Sequence, residues 1–508
     1  MMGMDAEVEN LRAAVSRHFT VSQITVNPFA VTFRVTSDPT AFDGAFDALR
    51  KDLVPKNFIP SIVQEPSGYV IHVQRRPETK FRGNQVNVLL LLVTVGTAWV
   101  AGAVNWQVYA NLPGPNMEAF GYGLVSFTVP LLAILGAHEM GHYVMAKRHG
   151  VRASLPFFIP SVPPLGTFGA FISMRDPIPN RRALLEIGIA GPLIGFAVAV
   201  PVTLLGLFLA AGDTRPPVLN GGGTVISSSL LYGWMQTLFP HALVDPFRRH
   251  PTAFAGWVGL FVTAINLLPA GQLDGGHVAR ALLGERHRYL SWGAVLFLLS
   301  LGAALILIGS QGFSWFLFAL IILLLGVKHP PPLNDITRLK PSRKALGVLA
   351  IVILAITFIP APFIEIPTNA SFAFETSTAP HTPLDSLNRT IAAAAQAIIA
   401  VNVNNTGNVD EKVRLEIRPQ NLDRINWTLS FVNYTVFGGG PEMTVVVSGT
   451  TTVITLNVTH YATVSILVRV PANSIGGPFT FGLRGEIPDA RRSTPIFEEQ
   501  IDVNITVP

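Results

Sequence analysis

Hydrophobic and polar positions along the chain follow three different rhythms. Up to residue 84 they are mixed, with alternation of period two over Ala30 to Val35 and Tyr69 to Val73 and a helical period over Ala41 to Leu53 between them. That order predicts a small α+β domain over 1–84. From Val86 to about Pro360 the apolar runs lengthen towards the roughly 20 residues a helix needs to cross a bilayer. Candidate spans lie near 87–108, 122–148, 183–211, 252–270, 290–310, 312–327 and 345–361. A further run, 224–239, is barely long enough and carries three consecutive serines, Gly233 and Gln236, so it reads as a re-entrant or surface segment. The membrane region is then 85–362. A Pro/Thr/Ser-rich linker, 363–389, leads into 390–508, where short alternating stretches such as Val413 to Ile417, Thr452 to Leu456 and Val464 to Val470 recur between Gly, Asn and Pro. The expected fold is a polytopic α-helical membrane protein of about seven spans, with a small α+β N-terminal domain and a C-terminal Ig-like β-sandwich.

Composition sharpens this picture. Of 508 residues, 49% are hydrophobic and 13% charged, against about a quarter charged in an ordinary soluble chain. A simple soluble enzyme is excluded. The net charge of +5 is spread over loops, with no basic arm interleaved with aromatics, so no nucleic-acid partner is expected. The basic residues mark topology instead: Arg75, Arg76, Lys147, Arg148, Arg181, Arg182, Lys340 and Arg343 fall on one side if the N-terminus is cytoplasmic, and 109–121 has no Lys or Arg. Arg248 and Arg249 do not fit. Seven spans place the C-terminal domain outside, as do Asn-x-Ser/Thr sequons at Asn369, Asn388, Asn404, Asn426, Asn433, Asn457 and Asn504. An integral protein of the plasma membrane is expected, targeted by its first span rather than by a cleavable leader.

Without cysteine, any metal must be held by His and carboxylates. The segment Gly136-Ala137-His138-Glu139-Met140-Gly141-His142 contains H-E-x-x-H at the end of an apolar helix. Four residues is about one helical turn, so His138 and His142 share a face and can bind one Zn²⁺, while Glu139 can reach a water there as general base. The bland alternative is a helix-end cluster reaching the polar interface. Buried in an apolar region, these groups cost several kcal/mol unless ligated or paired. A catalytic zinc usually takes a third protein ligand. The best candidate is Asp274, in the break Asn266-Leu267-Leu268-Pro269-Ala270-Gly271-Gln272-Leu273-Asp274-Gly275-Gly276-His277. Asp274 could instead cap the next helix, and His277 is a rival ligand.

These motifs resemble those of the site-2 protease family of intramembrane zinc metalloproteases, archaeal and chloroplast-type branch. His138-Glu139-Met140-Gly141-His142, continued by Ala146 and Gly150-Val151, is similar to the family's first motif. Asn266-Leu267-Leu268-Pro269 through Leu273-Asp274-Gly275-Gly276 is similar to its second. The resemblance covers about 86–330 and implies that His138, His142 and Asp274 bind Zn²⁺ and that Glu139 activates water against a peptide carbonyl of a transmembrane substrate. Asn266, a rare uncharged amide at depth, could donate to the oxyanion or merely tie the broken helix to a neighbour. Gly166, Thr167, Phe168 and Gly169 open a segment alternating small and aromatic residues, expected to form a re-entrant strand that either holds substrate extended or is purely structural. Gly191 and Gly195, four apart, suggest close helix packing. An inactive metal-containing scaffold and a metal transporter are the competing functions.

Overall fold

The computed structural model describes residues 2–27, 29–36, 42–66, 68–76, 84–112, 116–213, 223–240, 249–366, 370–376, 383–407, 409–420, 427–438, 443–457, 460–474, 476–488 and 495–508. The expected sequon asparagines 369 and 426, and Arg248, lie outside the described residues. The chain forms two compact units, 1–216 with 226–364 and 217–225 with 365–508.

The first unit begins with α1 (Met2–Ser16), β1 (Thr20–Asn27), β2 (Ala30–Thr36), α2 (Phe42–Leu53), β3 (Phe58–Glu65) and β4 (Gly68–Arg75). The four strands form one antiparallel sheet in the order β1-β2-β4-β3. Period-two alternation puts Phe33, Val35, Ile71 and Val73 on one face, where they close a core with Leu11, Val15, Phe42, Phe46 and Leu49 of the helices. Leu333, far along the chain, is buried in the same core.

The helical region follows: α3 (Gln85–Ala110), α4 (Met117–Gly123), α5 (Val129–Arg148), β5 (Phe157–Pro160), β6 (Thr167–Phe171), α6 (Arg181–Ala211), β7 (Gly223–Ile226, which belongs to the second unit up to Val225), α7 (Leu230–Thr237), α8 (Pro251–Leu267), α9 (Asp274–Leu283), α10 (His287–Leu307), α11 (Phe313–Leu325) and α12 (Pro341–Thr357). A π turn over Leu124–Thr128 joins α4 to α5. Pro130 lacks the N–H that would bond the Ser126 carbonyl, and that carbonyl accepts the Thr252 hydroxyl instead, at 2.7 Å, tying α5 to α8.

Among the described residues, four helical runs are long and apolar enough to cross a membrane: Gln85–Ala110, Met117–Arg148, Arg181–Ala211 and Asp274–Leu307. The remaining expected spans are shorter helices. Leu268 precedes a proline and is extended (φ −56°, ψ 130°), so α8 stops at Leu267. Gly326, at φ +92°, ends α11. The segment expected near 290–310 is the distal part of a run that starts at Asp274. At eight residues, α7 is about 12 Å long, well short of a bilayer. Arg249, out of place by loop charge, is used inside the protein: its Nη2 donates to the Ile226 carbonyl at 2.6 Å and its guanidinium lies over the Tyr232 ring.

The second unit carries β8 (Phe363–Ile366), which starts in the first unit, then β9 (Phe372–Thr376), β10 (Ser386–Thr390), β11 (Gln396–Asn405), β12 (Glu411–Pro419), β13 (Thr428–Phe437), β14 (Met443–Val446), β15 (Thr451–Leu456), β16 (Tyr461–Arg469), β17 (Gly477–Ile487) and β18 (Phe497–Val507). Two five-stranded sheets, β10-β18-β17-β12-β15 and β14-β13-β16-β11-β9, share one core. Strands β8 and β9 and most of β10 fall within the stretch expected to be a linker. Phe372 and Phe374 are buried in the core, but an alternation so short amid Pro and Thr gives a weak sequence signal.

Glu411, at the start of β12, is 3% exposed. One carboxylate oxygen accepts the Ser371 N–H at 2.6 Å and the other has no hydrogen-bond partner. Burial pushes its pKa up to about 7, against the pull of that single donor. A carboxyl whose folded pKa is raised contributes stability at low pH and loses it as the pH climbs through the folded value. Glu411→Gln is therefore expected to stabilise the second unit relative to the parent at about pH 8 and to lose that advantage near pH 5. Calorimetric unfolding of the full chain at both pH values reads the difference; an advantage independent of pH would refute the assignment.

Candidate metal centre

The centre is assembled from α5, α6, the α8–α9 break and the hairpin β5–β6. On α5, His138, Glu139 and His142 are all buried, and the two imidazoles lie against Gly195 and Gly191 of α6. The α8–α9 break carries Asn266 at the end of α8 and Asp274 at the start of α9. Gly275 allows this approach: a Cβ there would lie 2.1 Å from the Leu267 carbonyl oxygen. Two arginines hold α9 from the far end. Arg181 donates to the carbonyls of Ala281 and Leu282 at 2.8 and 3.1 Å, meeting acceptors the helix leaves open. Arg280, 3% exposed, pairs with Asp335 at 2.6 Å.

The side-chain geometry is compact. Oδ2 of Asp274 lies 3.2 Å from Nε2 of His138 and 3.2 Å from Nε2 of His142, and the two Nε2 atoms are 3.2 Å apart. The cap position of α9 is Leu273 and Asp274 is its first residue, with its carboxylate turned to the two imidazoles. Among the described residues, His138, His142 and Asp274 form the group able to hold a metal ion. His277 stands outside it: its Nδ1 faces the Leu273 carbonyl at 3.0 Å and its ring packs on His329.

The donor set fits zinc. Nδ1 of His142 is 2.8 Å from the Ile187 carbonyl, which can only accept, so this nitrogen carries the hydrogen and Nε2 is a bare lone pair. Two imidazole nitrogens and a carboxylate oxygen crowded at 3.2 Å need a cation or shared protons between them. Bonds of about 2.0–2.1 Å at tetrahedral angles set ligand atoms about 3.3 Å apart, close to the spacing found.

Asn266 reaches the same place, with Nδ2 3.4 Å from Nε2 of His138. The segment expected to be a strand is one. Strand β6 pairs antiparallel with β5, from Phe157 opposite Phe171 to Pro160 opposite Thr167. Thr167 is buried and its hydroxyl donates to the Ile159 carbonyl at 2.8 Å, whereas Phe168 is 77% exposed. Gly166 (φ +74°) lies against α3, where a Cβ would come within 2.5 Å of Ala98 Cα, and its carbonyl accepts from Thr97. The Ile187 carbonyl that meets Nδ1 of His142 carries no sequence signal, because it is a backbone group on another element.

Residues 126–309 match the pattern described as peptidase family M50. The chain is 35% identical over 295 residues to "Probable zinc metalloprotease EGY1, chloroplastic" of Arabidopsis thaliana, covering 54% of this chain and 53% of that protein. It is 32% identical to "Probable zinc metalloprotease EGY2, chloroplastic" of the same plant, over 49% of this chain and 44% of the other. With the rice protein named as EGY1 it shares 33% identity, over 49% and 44% respectively. The chain thus spans about half the length of the curated relatives it matches.

Proposed function

Because residues 126–309 belong to peptidase family M50, of the site-2 protease type, we infer that this protein is an intramembrane zinc metalloprotease that hydrolyses peptide bonds in or near transmembrane segments of other membrane proteins. The observation that supports it most is the convergence of His138, His142 and Asp274 at 3.2 Å beside a buried Glu139. His138 stands ten residues before Arg148, roughly 15 Å along the helix, deep enough for hydrolysis within the hydrocarbon layer.

In this reading His138 and His142, through Nε2, and Asp274, through Oδ2, hold the zinc ion. When bound, zinc polarises a peptide carbonyl and makes water acidic near neutral pH. The Glu139 carboxylate takes a proton from the attacking water as its oxygen bonds the carbonyl carbon, then delivers it to the departing amide nitrogen as the C–N bond breaks. The Ile187 carbonyl keeps the hydrogen of His142 on Nδ1. Asn266 Nδ2 donates to the oxyanion. The outer edge of β6, around Gly166, Thr167, Phe168 and Gly169, adds to a substrate strand and holds it extended, since a helix shields its own carbonyls.

The host is a lipid bilayer, crossed about seven times with some spans short or tilted, the N-terminal domain being cytoplasmic and the C-terminal sandwich Ig-like and external. The chloroplastic relatives weigh towards a chloroplast membrane over the plasma membrane expected from sequence. A structural or transported zinc has no use for Glu139, which counts against the scaffold and transporter readings. The test is cleavage of a reporter transmembrane substrate by the full chain in detergent. Chelation is expected to abolish it and added Zn²⁺ to restore it; cleavage that survives metal removal would overturn the reading.

A further inference from the structure

Away from the metal centre, the first unit holds a cleft of about 660 Å³ where edge strand β3, the α9–α10 junction and the chain just past α11 meet. A hydrogen bond ties two of its walls: the His329 N–H donates to Nε2 of His287 at 3.0 Å. Nδ1 of His287 is 2.8 Å from the Gly284 carbonyl, so it carries the hydrogen and the imidazole is neutral. Next to these two residues along the chain, Arg288 and Lys328 line the cleft with exposed cations. Among the described residues neither is paired with a carboxylate; Arg288 donates to the Tyr289 hydroxyl at 2.9 Å and lies over that ring. Asp335, on the wall, is already held by both terminal nitrogens of Arg280, at 2.6 and 3.3 Å. Glu285 is the other acid of the lining.

The surroundings say what kind of anion fits. Just past Arg288, Tyr289 and Trp292 are 65% and 51% exposed, and exposed aromatic residues of this kind mark the boundary between lipid headgroups and hydrocarbon. Spacings of three and four residues put His287, Leu290, Ala294 and Phe297 on one face of α10. His287 lines the cleft, and the other three line an apolar groove of about 440 Å³ between α10 and α12. A cationic cleft followed along one helix face by an apolar groove matches the two halves of a phospholipid.

We propose that the cleft binds the phosphate of an anionic membrane lipid between Arg288 and Lys328, with an acyl chain of the same lipid in the groove along α10. The inference goes beyond the protease reading and does not depend on it. A phosphate oxygen takes charge-assisted hydrogen bonds from both cations. Each Lys or Arg near a membrane surface is worth about fivefold in affinity for anionic lipid. A zwitterionic headgroup brings a cation of its own, which the two side chains oppose, and Glu285 opposes the phosphate.

The test titrates the full chain, in neutral detergent, with dioctanoyl phosphatidylglycerol, dioctanoyl phosphatidylcholine and glycerol phosphate, with binding read by calorimetry. Phosphatidylglycerol is expected to bind at least about fivefold more tightly than phosphatidylcholine. Lys328→Ala and Arg288→Ala should each weaken it about fivefold, and Glu285→Gln should tighten it. All three side chains are exposed, so the variants should fold like the parent. Arg286→Ala, exposed on the same junction but outside the lining, should leave binding unchanged. Ala294→Phe, which fills the groove, should weaken the lipid. Glycerol phosphate binding as tightly as phosphatidylglycerol would assign the cleft to a soluble phosphate and overturn the lipid half of the proposal. Equal affinity for the two lipids, or a loss in Arg286→Ala as large as that in Lys328→Ala, would overturn the site itself, leaving only the general attraction of a basic surface.

Discussion

A Glu139→Gln variant is expected to keep its zinc and to lose about 10²–10⁴-fold in kcat, the usual worth of a positioned general base. Gln matches Glu in shape, so the fold and the three ligand atoms should be undisturbed. The change removes proton acceptance alone. Zinc content by metal analysis and cleavage rate of a reporter substrate, measured on one preparation, separate the outcomes. Zinc retained with cleavage lost assigns the base. Zinc and cleavage both retained would remove Glu139 from the mechanism and return the centre to a structural or transport role. The value of the experiment lies in its contrast with ligand variants, in which metal and activity should fall together.

The parts of this centre legible in the sequence were those whose geometry is local. His138 and His142 are one turn apart, so spacing alone puts them on a common face. Asp274 was legible for another reason: it is a carboxylate in an apolar stretch, where an unpaired charge is costly. Its choice between capping and ligation needed the fold, which makes Leu273 the cap residue and puts Oδ2 between the imidazoles. The bond from His329 to His287 that ties the walls of the cleft was not legible, because it joins positions 42 residues apart and one partner is a backbone group. Spans were over-read at their ends for a related reason. Hydropathy continues through Leu268 and into Gly326, but the residue before Pro269 is forced extended and Gly326 takes a positive φ, so the helices stop while the apolar run goes on. The strands inside the expected linker show the opposite error: in β9, tertiary burial of Phe372 and Phe374 fixes a strand that local alternation only hints at.

Gly191→Ala is expected to abolish zinc binding and hydrolysis together, although it adds one methyl group to a helix that would otherwise gain from it. Within a regular helix alanine is favoured over glycine by about 1 kcal/mol, so α6 itself should not suffer. The obstacle is the neighbour. A Cβ on Gly191 would sit 2.0 Å from Nε2 of His142, the nitrogen that faces Asp274, and 2.4 and 2.6 Å from the two ring carbons beside it. The imidazole cannot turn away freely, because its Nδ1 is tied to the Ile187 carbonyl on the same helix. Either that bond or the approach of α5 to α6 must be given up. Changes in groups that merely orient a ligand cost about 10–100-fold in metal affinity, so displacing the ligand itself should cost at least about a hundredfold. Gly195 gives the graded comparison: its Cβ would lie 3.0 Å from Nδ1 of His138, a contact relieved by a few tenths of an ångström, so Gly195→Ala should weaken zinc binding far less. On α5, Gly136 faces open space, and Gly136→Ala should bind zinc like the parent. Zinc titration of the three variants reads the order directly, and a Gly191→Ala protein that binds zinc as tightly as Gly136→Ala would mean that His142 is not held where the α5–α6 packing puts it.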